Sequence, residues 1–96
     1  MIWAVVTVNG DRVLNRTGQE TDVALAAAGD SSAFERIYQA NVARIHSLAR
    51  RMLGTDYADE ITQDIFVRTW QKLSTFRGES AFTTWLHRLA LNVIIE

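Results

Sequence analysis

Cysteine is absent from this 96-residue chain, which removes both a disulfide framework and a thiolate metal site from consideration. Histidine is scarce: His46 and His87 lie too far apart to suggest a ligand pair, so no metal and no cofactor is expected. An excess of either charge sign is missing as well. A net charge of -1 gives no global electrostatic case for nucleic acid, whose partners are usually strongly basic domains. No apolar run is long enough to span a bilayer. The opening segment from Met1 to Val8 is apolar, but it has neither a basic lead-in nor a small-residue cleavage pattern, so no membrane partner is expected and the location is expected to be cytoplasmic. The length allows one compact domain and is too short for a catalytic cleft between two lobes.

What is present is a hydrophobic content of 48%, enough for one core, and an uneven spread of charge. Residues 56–64 hold Asp56, Asp59, Glu60 and Asp64 with no base, whereas residues 66–92 hold Arg68, Lys72, Arg77 and Arg88 against Glu79 alone. Adjacent acidic and basic surfaces suit two different partners, although charge alone favours ordinary solvated helix faces.

Residues 2–8 are rich in Val, Ile, Trp and Thr and run into Asn9-Gly10, a dipeptide suited to a tight hairpin turn. With the polar stretch Asn15 to Glu20 behind it, residues 1–20 read as an N-terminal tail, either loose or a short β-hairpin. From Thr21 the pattern is helical, and Gly29, Gly54 and Gly78 partition it. The expectation is an all-α fold, a small bundle of three to four helices.

The first helix is expected over about residues 22–28, alanine-rich and packed as a lid on the others. The second opens at Asp30-Ser31-Ser32, with Ser32 and Glu35 at capping-box spacing. Phe34, Ile37, Tyr38, Val42, Ile45, Leu48, Ala49 and Met52 form its buried stripe. Arg50 and Arg51 suit the negative end of its dipole. His46, with no acid at helical spacing, reads as a boundary side chain.

The third helix, about residues 56–73, can turn Ala58, Ile61, Ile65, Thr69 and Leu73 inward. Phe66 and Trp70 are spaced by four beside Gln63 and Asp64; that composition suits a partner surface, but periodicity alone reads the pair as core. In the fourth helix Phe82, Trp85, Leu86, Leu89, Ala90 and Val93 keep the period of an apolar face. Ser80 can cap its start, and Thr83, Thr84, His87, Arg88 and Asn92 fall on the opposite face. The sequence ends at Glu96 without a stop signal and looks cut.

Three strings carry a resemblance to a known family. Gly29-Asp30-Ser31-Ser32-Ala33-Phe34 looks like the entry to its first long helix. Asp59-Glu60-Ile61-Thr62-Gln63-Asp64-Ile65-Phe66-Val67-Arg68-Thr69-Trp70 resembles its polymerase-binding helix. The string from Phe76-Arg77-Gly78 through Phe82, Trp85 and Arg88 to Asn92 resembles its promoter-melting loop and helix. The family is the extracytoplasmic-function group of sigma-70-type factors, and the domain is region 2, covering roughly residues 21–96.

The resemblance implies a domain that docks on the clamp helices of the RNA polymerase β′ subunit and captures the melted strand of the promoter minus-ten element. An anti-sigma factor is a further partner it allows. Asp59, Glu60, Gln63, Asp64 and Phe66 would meet polymerase. Phe76, Arg77, Gly78, Thr84, His87, Arg88 and Asn92 would meet DNA, with Asn92 reading a base edge and the arginines holding phosphates. Phe82 and Trp85 read as core residues of the fourth helix. The helix-turn-helix domain that members normally carry after region 2 is absent from these residues.

Two rival readings are of other classes. One is an interaction module that occupies polymerase or an anti-sigma factor without melting DNA. The other is a small hydrolase using Asp59, Glu60 or His46, for which no nucleophile, base and orienting group stand at workable spacing. A repressor-type helix-turn-helix would need a short turn before a basic helix, which is not here.

Overall fold

No proline interrupts the sequence, so every interior amide can donate along a helix. The computed structural model describes residues 11–96, with side chains from residue 18 onward. Four α-helices follow one another: α1 (Asp11–Ala27), α2 (Ser31–Leu53), α3 (Thr55–Lys72) and α4 (Phe82–Ile95), with one 3-10 turn, Leu73–Thr75, directly after α3. No strand occurs among the described residues, in keeping with an all-α bundle. The hairpin expected at 2–8 and Asn9-Gly10 lies outside them.

The expected tail needs correction within the described residues. Asn15 to Glu20, read as a polar linker, is helical, and α1 begins at Asp11 rather than near Asp22. Its polar residues have work in the fold. Asp22 accepts two hydrogen bonds from the Arg36 guanidinium, at 3.0 and 3.1 Å, and Gln19 accepts one from Asn41 at 2.9 Å. The Asp22 hydrogen bond holds the pKa of Arg36 above its ordinary value.

At the start of α2 the cap is Asp30, whose carboxylate accepts from the Ala33 amide at 3.1 Å; Ser32, expected in that role, is an exposed first-turn residue. Gly54 is the whole connection between α2 and α3. Its φ of 89° is costly for any residue with a Cβ, and its amide closes α2 onto the Arg50 carbonyl at 2.9 Å. So short a link forces an antiparallel pair, and the partners match: Phe34 meets Trp70, Tyr38 meets Phe66, and His46 meets Asp59.

Ile37, Ile45, Ile65, Leu73 and Leu86 are fully buried and join one cluster drawn from all four helices and the turn. Within α3 the buried set is Ala58, Thr62, Ile65, Phe66 and Thr69, with Ile61 only partly covered. The stripe is therefore rotated towards Phe66 relative to the sequence reading. Met52, expected inside α2, is exposed, and Asn41 takes a buried place that no apolar pattern marked.

Candidate functional site

Phe34, Tyr38, Val42 and His46, four residues apart on α2, and Asp59, Gln63, Phe66, Val67 and Trp70 on α3 flank an open groove of about 1010 Å³. Its walls are aromatic. Phe34 and Trp70 meet edge to face at 4.9 Å, as do Tyr38 and Phe66, and each such pair contributes about 0.5–1.5 kcal/mol beyond the area it buries. Trp70 remains 39% exposed and Val67 49%, so an apolar strip faces solvent, which on a small domain marks an interaction surface. The groove is open along its side rather than enclosed, a form that suits the apolar face of a helix.

The residues expected to meet polymerase divide by position. Asp59, Glu60 and Gln63 are exposed. His46 Nε2 lies 2.8 Å from Asp59 Oδ1 across the rim of the groove, an acid partner that sequence spacing within α2 could not reveal because it comes from α3. Asp64 is half-buried and accepts from Arg68 at 3.3 Å. Phe66, at 4% exposure, is the core residue that periodicity implies and floors the groove; its neighbour Trp70, also read as core, is corrected, since it carries exposed aromatic surface.

Thr62 also faces the groove, and its buried hydroxyl has no hydrogen-bond partner among the described residues. A buried hydroxyl left unpaired costs about 1–3 kcal/mol. Replacing it by valine keeps the shape and removes that cost, so Thr62→Val is expected to raise unfolding free energy by about 1 kcal/mol in urea titrations. No gain would mean that solvent already satisfies the hydroxyl.

The second surface is the connection after the 3-10 turn together with the outer side of α4. Helix α4 begins at Phe82 with Ala81 as its cap and no side-chain hydrogen bond there; Ser80, expected to cap it, instead donates to the Ala81 carbonyl at 3.3 Å. Phe82, Leu86, Ala90, Val93 and Ile94 are buried, while Trp85 and Leu89 are half-covered. Thr84, Arg88 and Asn92, four residues apart, form an exposed stripe with His87 beside it.

Phe76 is half-buried, 5.7 Å from Phe82 and 5.3 Å from Trp85 between ring centroids. It forms one wall of an aromatic cluster that keeps an open edge. Gly78 has a φ of 76°, and a Cβ there would meet nothing within 4 Å, so glycine serves the bend rather than a close approach. Arg77 and Arg88 are exposed and unpaired with any carboxylate among the described residues. Arg68, counted from sequence with the basic set, is engaged elsewhere: it donates to Glu96 at 2.7 Å and to Asp64. The Glu96 hydrogen bond, with Asp64, raises its pKa above the ordinary value.

None of the seven residues expected to meet DNA lines the groove between α2 and α3. The molecule thus offers an aromatic groove whose rim carries Asp59, His46 and Arg50 and, separately, a polar and basic face with an aromatic cluster at its root. Among the described residues no helix is long and apolar enough to cross a membrane, and no group of three or more potential ligands could hold a metal ion.

Residues 37–96 match the family model described as sigma-70 region 2. Among curated proteins, the ECF RNA polymerase sigma-E factor of Haemophilus influenzae is 34% identical over 77 residues, which is 77% of this chain and 41% of that protein. The factor of the same name from Escherichia coli K12 is 34% identical over 64 residues, 67% of this chain and 34% of its own length. The chain therefore spans well under half the length of these relatives.

Proposed function

The chain belongs to the sigma-70 region 2 family, in its extracytoplasmic-function group, and from that premise we propose that its groove docks on the β′ clamp helices of RNA polymerase core while its loop and α4 capture the melted minus-ten strand. One observation carries this reading: the two sets of residues occupy separate surfaces with none in common, so both partners can be held at once. In the groove, an amphipathic helix would lay apolar side chains against Trp70 and Val67 and a basic one against Asp59, with exposed Glu60 beside the groove within reach of a further base. Charge complementarity of this kind mainly sets the rate and register of docking.

Strand opening needs no catalytic group. It needs a surface with higher affinity for the unpaired strand than for the duplex, and the open edge of the Phe76, Phe82 and Trp85 cluster can stack an extruded base. Arg77 and Arg88 supply phosphate contacts that fix position, and Asn92 supplies an amide able to read a base edge. Gly78 sets the bend between them. Such a role is carried out in the cytoplasm.

Asn92→Ala is expected to weaken binding of a single-stranded minus-ten oligonucleotide about tenfold, the size of one lost base-edge contact, and to reduce open-complex formation with core polymerase binding unchanged. Fluorescence anisotropy for the oligonucleotide and a permanganate footprint for opening read the two effects. Unchanged values in both favour the alternative, an interaction module for polymerase or an anti-sigma factor that does not melt DNA, to which the aromatic groove is equally suited.

A further inference from the structure

We infer that α1 is a splint for the strand-handling loop, positioned by the buried amide of Asn41 and its partner Gln19. The inference rests on the reading of Phe76, Arg77 and Gly78 as single-strand contacts. The family model matches from residue 37 onward, so α1 lies outside it, and no part of the proposed docking or capture uses it directly.

Gln19, Asp22, Val23 and Ala26 stand at relative positions 0, 3, 4 and 7 of α1 and so share one face. Asp22 holds Arg36, and Val23 and Ala26 are buried in the common core. Gln19 receives a hydrogen bond from Asn41, which is 1% exposed. The second Asn41 N–H goes to the Ile37 carbonyl at 2.7 Å, and its oxygen accepts from Arg44. Both amide hydrogens and the carbonyl are thus used. An apolar side chain would fill this place at no desolvation cost; what a fully satisfied buried amide adds is register, since sliding α1 along α2 would strip Asn41 of its acceptor.

The register matters at the other end of α1's contact surface. Helix α1 packs on the 3-10 turn as well as on α2, and Leu73 of that turn joins Val23 and Ala26 in the buried cluster. The Phe76 amide then donates to the Leu73 carbonyl at 3.1 Å. Arg77 and Gly78 follow at once. The root of the loop is therefore clamped between α3, which delivers the turn, and α1, which supports it from the side. Gln19 and Asn41 are positioning residues in this arrangement: they touch no nucleotide and act through the turn.

The test uses the full chain with Gln19→Ala, which removes the acceptor from a half-buried helix position, and Gln19→Glu, which keeps an oxygen there. Amide exchange at Phe76 is expected to quicken about fivefold in the alanine variant, the factor that one ordinary hydrogen bond converts to, while amides in the middle of α3 keep their rates. Affinity for a fluorescent single-stranded minus-ten oligonucleotide is expected to fall by a similar factor with polymerase binding unchanged, and the glutamate variant to return both values to within about twofold of the parent. Phe76 exchange that does not respond, or that rises together with exchange throughout α3, overturns the splint. A parent chain that binds no oligonucleotide while Phe76 exchange still responds to Gln19→Ala leaves the splint standing and removes the strand-capture reading instead.

Discussion

Phe66→Ala is expected to remove about 3–5 kcal/mol of unfolding free energy, the usual range for deleting a buried phenylalanine ring. The ring is 4% exposed, meets Tyr38 edge to face at 4.9 Å, and belongs to the core cluster shared by all four helices. Its loss both opens a cavity and leaves Tyr38 without its partner. Small domains hold only about 5–15 kcal/mol in total, so the variant is expected to lose a large share of its stability. Urea denaturation followed by circular dichroism measures it. A loss below about 1.5 kcal/mol, the level of a volume-conserving core change, would show that Phe66 spends its time outside the core, as a direct contact residue would.

Trp70→Ala should behave in the opposite way. Trp70 is 39% exposed and is held at 4.9 Å by the Phe34 ring on the far wall of the groove. Truncation removes an interaction surface more than a support, and the helix itself gains a good helix former. Tryptophan at the centre of an interface typically contributes 2 kcal/mol or more, which is about thirtyfold in affinity. Affinity for core polymerase is accordingly expected to fall about thirtyfold, with a loss of unfolding free energy of about 1–2 kcal/mol from the Phe34 pair and the covered part of the ring, less than that of Phe66→Ala. Surface-immobilised polymerase titrated with each variant gives the comparison. Equal affinity for variant and parent would exclude the groove as the docking site and move the polymerase contact to the outer acidic side of α3.

The contrast between these neighbours shows where sequence reasoning stopped. Phe66 and Trp70 are one helical turn apart on α3, and periodicity could not separate them because both flank the Ile65 and Thr69 stripe. The decision came from packing between helices: each ring meets one α2 ring edge to face at 4.9 Å, but Phe66 also joins the buried cluster and Trp70 does not. The same cause hid the role of His46. Its acid, Asp59, is 13 residues away in sequence and becomes a neighbour only through the antiparallel turn at Gly54. Asn41 escaped notice because polarity predicts exposure, and its partner Gln19 is 22 residues distant.

In α4 the sequence was more informative. Phe82, Leu86, Ala90 and Val93 are buried as the period implied, and Thr84, His87, Arg88 and Asn92 are exposed on the other side. Trp85 and Leu89 are only half-covered, because α4 is packed along one side and leaves the flank towards Phe76 open. The start of α1 was missed for a different reason. Its opening residues have weak helix signals, and short helices in water depend on packing for stability; the contacts of Gln19 and Asp22 with α2 supply it.

By itself the sequence determined the helical class, the breaks at Gly29, Gly54 and Gly78, the inner face of α4 and, through three motifs, the family. Those features are local: backbone preference, periodicity and the spacing of residues within one element carry them. Only the tertiary structure decided that Phe66 is a floor and Trp70 a wall, that Asp59 is tied to His46, that Arg68 is occupied by Glu96, and that α1 reaches the root of the loop. Each depends on which helix lies opposite, and burial and pairing between elements are properties of the packed chain rather than of any segment of it.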